Sequence, residues 1–260
     1  LALVPVILWN DRKQGTGRPK GRERWLLWLG GALCGICLTL AVNLQQVAIA
    51  WVDASGRANV GKIGFLTAMY IVLVPILSLF LKKRVGANVY AGILLALAGM
   101  YLLCVKEGFA LGGGDVYALL AALMFALQII VIDIFAPKVD NIRLSALQFL
   151  VCGALSGALA LGTETQLARA YRDALLPILY TGVLSSGVGY TLQILGQRRC
   201  RPQMASLLMS MESAFSAIFG FLILHQKMTG RELIGCALML AAVLLAQWKP
   251  RGERNANESV

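Results

Sequence analysis

Eight stretches of this chain each run for about twenty residues with almost no charge, the length a helix needs to cross a bilayer. They are Trp25–Val47, Ile63–Leu81, Ala87–Val105, Val116–Ala136, Leu144–Gly162, Ala174–Gly196, Gln203–Leu224 and Gly230–Trp248. Polar residues gather in the short segments between them, and no connection is long enough for a soluble domain. Within each stretch Leu, Ala and Met follow one another without the period-two alternation of a barrel strand. Helices satisfy their own backbone hydrogen bonds in hydrocarbon, so helices are the expected element. The predicted fold class is an all-α polytopic membrane protein.

Composition agrees. Hydrophobic residues make up 58% of the 260 and charged residues 14%, a balance that excludes an ordinary soluble globule and a disordered chain. The chain opens on an apolar Leu1–Trp9 followed by Asn10-Asp11-Arg12-Lys13. Nine residues cannot cross a bilayer, and with neither Met nor a basic lead-in they do not read as a signal peptide. They read as the second half of a transmembrane helix whose start lies upstream, an N-terminal truncation; a short interfacial anchor is the other reading.

The net charge of +11 is distributed by topology. Alternate connections, together with the tail after residue 248, hold 17 of the 24 Lys and Arg residues, and the other set holds 7. The positive-inside rule puts the first set, including Arg12–Arg24, Lys82-Lys83-Arg84 and the tail 249–260, in the cytoplasm. The expected location is the plasma membrane, multi-pass, with a cytoplasmic C-terminus. The basic rims fit anionic lipid as a partner, and nothing resembles a nucleic-acid patch. The six Cys include Cys34-x-x-Cys37, which lies inside an apolar helix with no second pair and reads as packing.

A shift of 143 residues lays Lys62–Val105 onto Ala205–Trp248. Identities are scattered and include Leu79/Leu222, Leu81/Leu224, Gly92/Gly235, Ala98/Ala241 and Leu102/Leu245. The pattern matches better than the letters: a helix, a short basic turn, then a helix with Gly in its first turns. The turns are Lys82-Lys83-Arg84 and His225-Gln226-Lys227. A Leu-Gln pair also recurs one helix earlier, at Leu44-Gln45 and Leu192-Gln193. By the charge rule the first turn is cytoplasmic and the second faces outward, so the halves would be inverted, an arrangement frequent in secondary transporters.

Several of these segments resemble one family. Gly61-Lys62-Ile63-Gly64-Phe65-Leu66-Thr67-Ala68-Met69-Tyr70, Val74-Pro75 and Phe80-Leu81-Lys82-Lys83-Arg84 are similar to the fourth helix of EamA-type members of the drug/metabolite transporter (DMT) superfamily. Leu44-Gln45-Gln46 resembles the end of their third helix. Gly189-Tyr190-Thr191-Leu192-Gln193 and Ser210-Met211-Glu212-Ser213-Ala214-Phe215 resemble helices eight and nine. The resemblance implies ten helices in two inverted five-helix halves with both termini cytoplasmic. The eight spans are then helices three to ten, and Leu1–Trp9 is the end of helix two. Residues 1–105 form an incomplete first repeat and 115–248 the second. Two features depart from the family: His225-Gln226-Lys227 stands where Gly-Glu-Arg is frequent, and Ala50–Val60 is long.

Polar groups in hydrocarbon are costly, so each is a candidate. Glu212 sits near the centre of its span with no basic residue in that span. Either it lines a cavity and binds a proton or a substrate amine, or it ties helices together. Gln45, Gln46, Gln128, Tyr190 and Gln193, joined by Thr67, Tyr70, Ser210 and Ser213, form as a group a candidate pathway for a polar organic molecule; singly, each reads first as a helix–helix hydrogen bond. Asp133 reaches the cytoplasmic interface and reads as structural. Lys62 snorkels at the outer rim or serves a gate. Gly153-x-x-x-Gly157 suggests close packing, the run Gly182 to Gly189 packing or local unwinding, and Pro75 and Pro177 kinks. The expected function is a secondary-active transporter, read as an exporter, of small organic metabolites or drugs by alternating access, with proton coupling as a hypothesis. No phosphate-binding loop, metal-ligand set or nucleophile motif is present, so no cofactor and no enzyme activity are expected. A membrane-embedded enzyme and a non-transporting assembly protein are the alternatives.

Overall fold

The computed structural model describes residues 21–54, 60–82, 85–105, 112–163, 174–225 and 229–248, together with Leu3, Ile7 and Arg172. The described residues are helical. In order they form α1 (Gly21–Ala54), α2 (Val60–Thr67), α3 (Tyr70–Phe80), α4 (Ala87–Cys104), α5 (Gly113–Phe135), α6 (Asn141–Thr163), α7 (Leu175–Tyr180), a π-helical stretch (Thr181–Tyr190), α8 (Thr191–Gln197), α9 (Pro202–Leu224) and α10 (Gly230–Gln247). Taking α2 with α3, and α7 through α8, as single passes, eight helices among the described residues are long and apolar enough to cross a membrane. Their limits agree with the sequence reading to within about four residues, apart from the end of α1, seven residues past Val47; frayed ends are the usual discrepancy. The expected half helix at Leu1–Trp9 lies outside the described residues except for one helical bond, Ile7 N–H to Leu3 O at 3.0 Å.

Local chemistry explains several ends. Asp140 accepts from the backbone N–H groups of Ile142 and Arg143 at 2.9 and 3.1 Å, capping α6. Thr229 and Glu232 form a reciprocal capping box at α10, and Pro202 opens α9, where its missing N–H costs nothing. Between α2 and α3 the backbone tightens to i→i−3 bonds at Met69, Ile71 and Val72. This is the turn before Pro75, whose ring disfavours a regular helix there. After Pro177 the helix is not unwound but widened into the π-helix. Thr181 and Thr191 hydroxyls donate to the carbonyls of Pro177 and Gly187 at 2.8 and 2.6 Å, so these carbonyls keep partners.

The chain divides into two compact units, Leu1–Asn43 with Gln128–Cys200 and Leu44–Leu127 with Arg201–Val260. In the first, Leu27 and Cys34 of α1 pack with Ile132, Phe135, Leu144 and Ile194, so Cys34 is a core residue. Gly153 and Gly157 have nothing within 4 Å of a Cβ built on them; the close packing expected of that motif is absent among the described residues.

The second unit is built on the pair α4 and α10. A Cβ on Gly99 would lie 2.8 Å from the Gly235 carbonyl, and one on Gly235 would lie 2.7 Å from the Gly99 carbonyl. Gly92 meets the Ala242 carbonyl at 2.9 Å in the same way, and Asn88 Nδ2 donates to the carbonyls of Ala246 and Trp248. Rising numbers on α4 therefore meet falling numbers on α10, and the helices are antiparallel. The 143-residue shift exchanges the two contacts: Gly99 maps to Ala242 and Gly92 to Gly235. The surrounding core obeys the same shift, Ile71/Ala214, Ile93/Cys236, Ala96/Met239, Met100/Val243 and Leu103/Ala246 all being buried. Lys82 and His225, at corresponding corners, are the two non-glycine residues with left-handed φ among those described, 57° and 50°. Because α4 leaves one corner and α10 the other, these corners lie at opposite ends of the antiparallel pair.

Candidate functional site

In the first unit, α5 and α6 form a hairpin around the turn at 136–140. Residues equidistant from that turn face each other, and Gln128 Nε2 donates to Gln148 Oε1 at 3.1 Å. Both side chains are fully buried. They sit about ten residues from the turn, about 15 Å along the helix and near the middle of the hydrocarbon. One bond cannot satisfy two amides: Gln128 Oε1 and Gln148 Nε2 stay unpaired. Exchanging O and N on both side chains would leave the same deficit, one acceptor and one donor. A polar pair in this setting is a constrained, high-stakes element. One turn away, Ser145 and Thr191 share a hydrogen bond at 2.9 Å. Tyr190 is half-buried with its ring edge-on to Phe149 at 5.7 Å. Gln193 is half-buried, and its Nε2 is buried without a hydrogen-bond partner.

In the second unit, Thr67 and Ser210 are buried, and each hydroxyl donates to its own helix, to Ile63 O at 2.8 Å and Leu207 O at 2.7 Å. Such back-bonding satisfies the hydroxyl without a ligand. Tyr70 packs against Phe125 at 6.4 Å, and Ser213 is half-buried. Gln45 is half-buried and Gln46 exposed on α1. Glu212 is exposed and makes no hydrogen bond or ion pair with a described residue. Its neighbours along the same stripe, Leu208, Phe215 and Phe219, are exposed too, while Leu207, Ser210 and Ala214 face the core.

Lys62 is not simply snorkelling. Its ammonium pairs with Asp115 in the first turn of α5, and both side chains are largely buried, 13% and 5% exposed. Asp115 also accepts from the Gly112 N–H. Ile63, Leu66, Ala48 and Ala118 form the apolar cluster beside the pair, and Trp51 packs on Tyr117 at 6.0 Å. Sequence reasoning missed Asp115 and Gln148. The signal for Asp115 was present: it and Lys62 are opposite charges at the ends of two spans that the charge rule sets on one side. Gln148 carried only the weaker hint of an amide inside an apolar run. No group of three or more His, Cys, Asp or Glu able to hold a metal occurs among the described residues.

Comparison with known proteins identifies the scaffold. The EamA-like transporter family matches residues 112–248, just over half the chain. An archaeal protein of Archaeoglobus fulgidus, named as an uncharacterised transporter, is 28% identical over 216 residues, which are 83% of this chain and 67% of that protein. A WAT1-related chloroplastic protein of Arabidopsis thaliana is 26% identical over 254 residues, covering 92% of this chain and 58% of its own length. The chain thus spans about three-fifths to two-thirds of these relatives. A solved crystal structure shares the fold with a TM-score of 0.65 and 18% identity, covering 95% of this chain and 94% of its own. With eight apolar spans among its described residues, an archaeal relative named as a transporter and a family match over more than half its length, this multi-pass membrane protein belongs to the EamA-like transporter family.

Proposed function

We propose that the protein is a secondary-active transporter of small organic metabolites or drugs, working as an exporter by alternating access in the plasma membrane, with its C-terminus in the cytoplasm. The observation that carries this reading is the α4–α10 pair, in which one sequence shift exchanges the two glycine contacts and also relates the two left-handed corners. A scaffold of inverted halves has two near-equivalent packings, which alternating access requires. The polar residues Gln45, Gln46, Thr67, Tyr70, Gln128, Tyr190, Gln193, Ser210, Glu212 and Ser213 are the proposed substrate pathway. Among them Gln128, Gln193 and Glu212 have hydrogen-bonding capacity their described neighbours leave unused. Glu212 is the proposed coupling carboxylate, since it is the one carboxylate among the pathway residues and lies within an apolar span.

The test is flux in proteoliposomes. Purified protein is reconstituted and loaded with labelled amino acids and drugs, and efflux is followed with and without an imposed pH gradient. Solute movement faster than in empty vesicles and faster with the gradient is expected. Glu212→Gln should fold and insert but lose the gradient's effect; unchanged pH-driven movement would refute its coupling role. Vesicles that move no solute above the empty control would refute transport itself.

A further inference from the structure

The exposed face of α9 has a more specific chemistry than a generic polar wall. Ten residues separate Glu212 from the start of the helix, about 15 Å of rise, which sets its carboxylate near mid-depth in a hydrocarbon layer of about 30 Å. Glu212, Phe215, Ser216 and Phe219 fall at i, i+3, i+4 and i+7 and are all exposed. The Phe215 and Phe219 rings are stacked, 6.4 Å apart and inclined by 28°. The span of α9 contains no Lys or Arg, and Glu212 has no ion pair among the described residues. An ionised carboxylate at this depth is stable only where water or a cation meets it. Beside it, two aromatic faces attract cations and accept an apolar body while offering no hydrogen bond to an anion.

We infer that Glu212, Phe215 and Phe219 form a recognition wall for organic monocations, molecules carrying an ammonium or guanidinium on an aromatic or aliphatic body. This rests on the transport reading above, which it narrows to a substrate class. The carboxylate neutralises the cationic head, and the stacked rings take the head's outer face or the adjoining apolar group. An anionic solute meets repulsion from Glu212, and a neutral solute gains only the ring contact.

The probe is benzyltrimethylammonium, a permanent cation whose charge does not vary with pH. A Ser216→Cys variant on a cysteine-free background reports on the face through its rate of maleimide labelling in proteoliposomes. Benzyltrimethylammonium is expected to slow that labelling in a saturable way, and benzenesulfonate at the same concentrations is expected to leave it unchanged. Adding Glu212→Gln should weaken the protection about tenfold, and Phe215→Leu or Phe219→Leu about two- to fivefold each. The phenylalanine variants leave the carboxylate in place, so they separate cation recognition from proton carriage and from any misfolding of Glu212→Gln. Protection that survives Glu212→Gln at full strength, equal protection by benzenesulfonate, or no protection at all overturns the inference. If the cation fails while the wild type still moves a neutral or zwitterionic solute, the substrate class is wrong and the transport reading stands. If no solute moves, the transport reading itself fails.

Discussion

Replacing Gly235 by Ala tests the α4–α10 contact with one methyl group. The added Cβ would sit 2.7 Å from the Gly99 carbonyl oxygen and 3.1 Å from the Leu103 nitrogen. Both are backbone atoms on a packed helix, so neither rotates away and the helices must separate by several tenths of an ångström. Overpacking of this kind costs about 1–3 kcal/mol. Ala is the better helix former by about 1 kcal/mol, which offsets part of the cost. The expected net loss is about 0–2 kcal/mol. Gly153→Ala is the control, because nothing lies within 4 Å of its Cβ, and only the propensity gain applies. Unfolding of the purified protein in mixed micelles, titrated with SDS, should separate the two variants by about 2 kcal/mol. Gly99→Ala meets the same contact from the other side, 2.8 Å from the Gly235 carbonyl. A separation made for one methyl accommodates the second, so the double variant should lose less than the sum, with a coupling of at least about 0.5 kcal/mol. If Gly235→Ala is as stable as Gly153→Ala, or the two alanines are strictly additive, the close approach does not exist as described.

Two further perturbations address buried polar groups, measured by the same titration. Asp115→Asn removes the buried carboxylate that pairs with the Lys62 ammonium and should destabilise by about 3–5 kcal/mol, whereas Lys62→Met with Asp115→Leu should lose markedly less; equal losses would mean the pair is solvated. Gln128→Leu strands the remaining amide of Gln148 and should cost about 1–3 kcal/mol, while the double change to Leu at both positions should be close to neutral; a double variant as damaged as the single would show that the pair contributes more than its own bond.

The spans were legible because a run of some twenty apolar residues has few other uses in a protein of this composition. The 143-residue shift was visible in outline from the pattern of helices and corners, but the exchange of Gly99–Gly235 with Gly92–Ala242 in the antiparallel α4–α10 pair needs contacts that scattered identities could not reveal. Glycine spacing misled at Gly153 and Gly157, since a small residue permits close approach without requiring it, and the neighbour that decides comes from tertiary structure. Thr67 and Ser210 read as pathway hydroxyls, yet each bonds its own helix; sequence cannot distinguish an inward hydroxyl from a back-bonded one. Asp115 was missed because an acid in a helix's first turn is ordinary, although the charge rule sets it on the same side as Lys62. Glu212 stands out as a candidate from chemistry alone, because a carboxylate mid-span has few inexpensive environments.

Sided cysteine labelling measures the inversion directly. With Lys82→Cys and His225→Cys made one at a time on a cysteine-free background, sealed right-side-out vesicles are treated with a membrane-impermeant maleimide before and after permeabilisation. The His225 position should react in intact vesicles and the Lys82 position only once they are opened. Reaction of both from the same side would contradict the antiparallel scaffold on which the account is built.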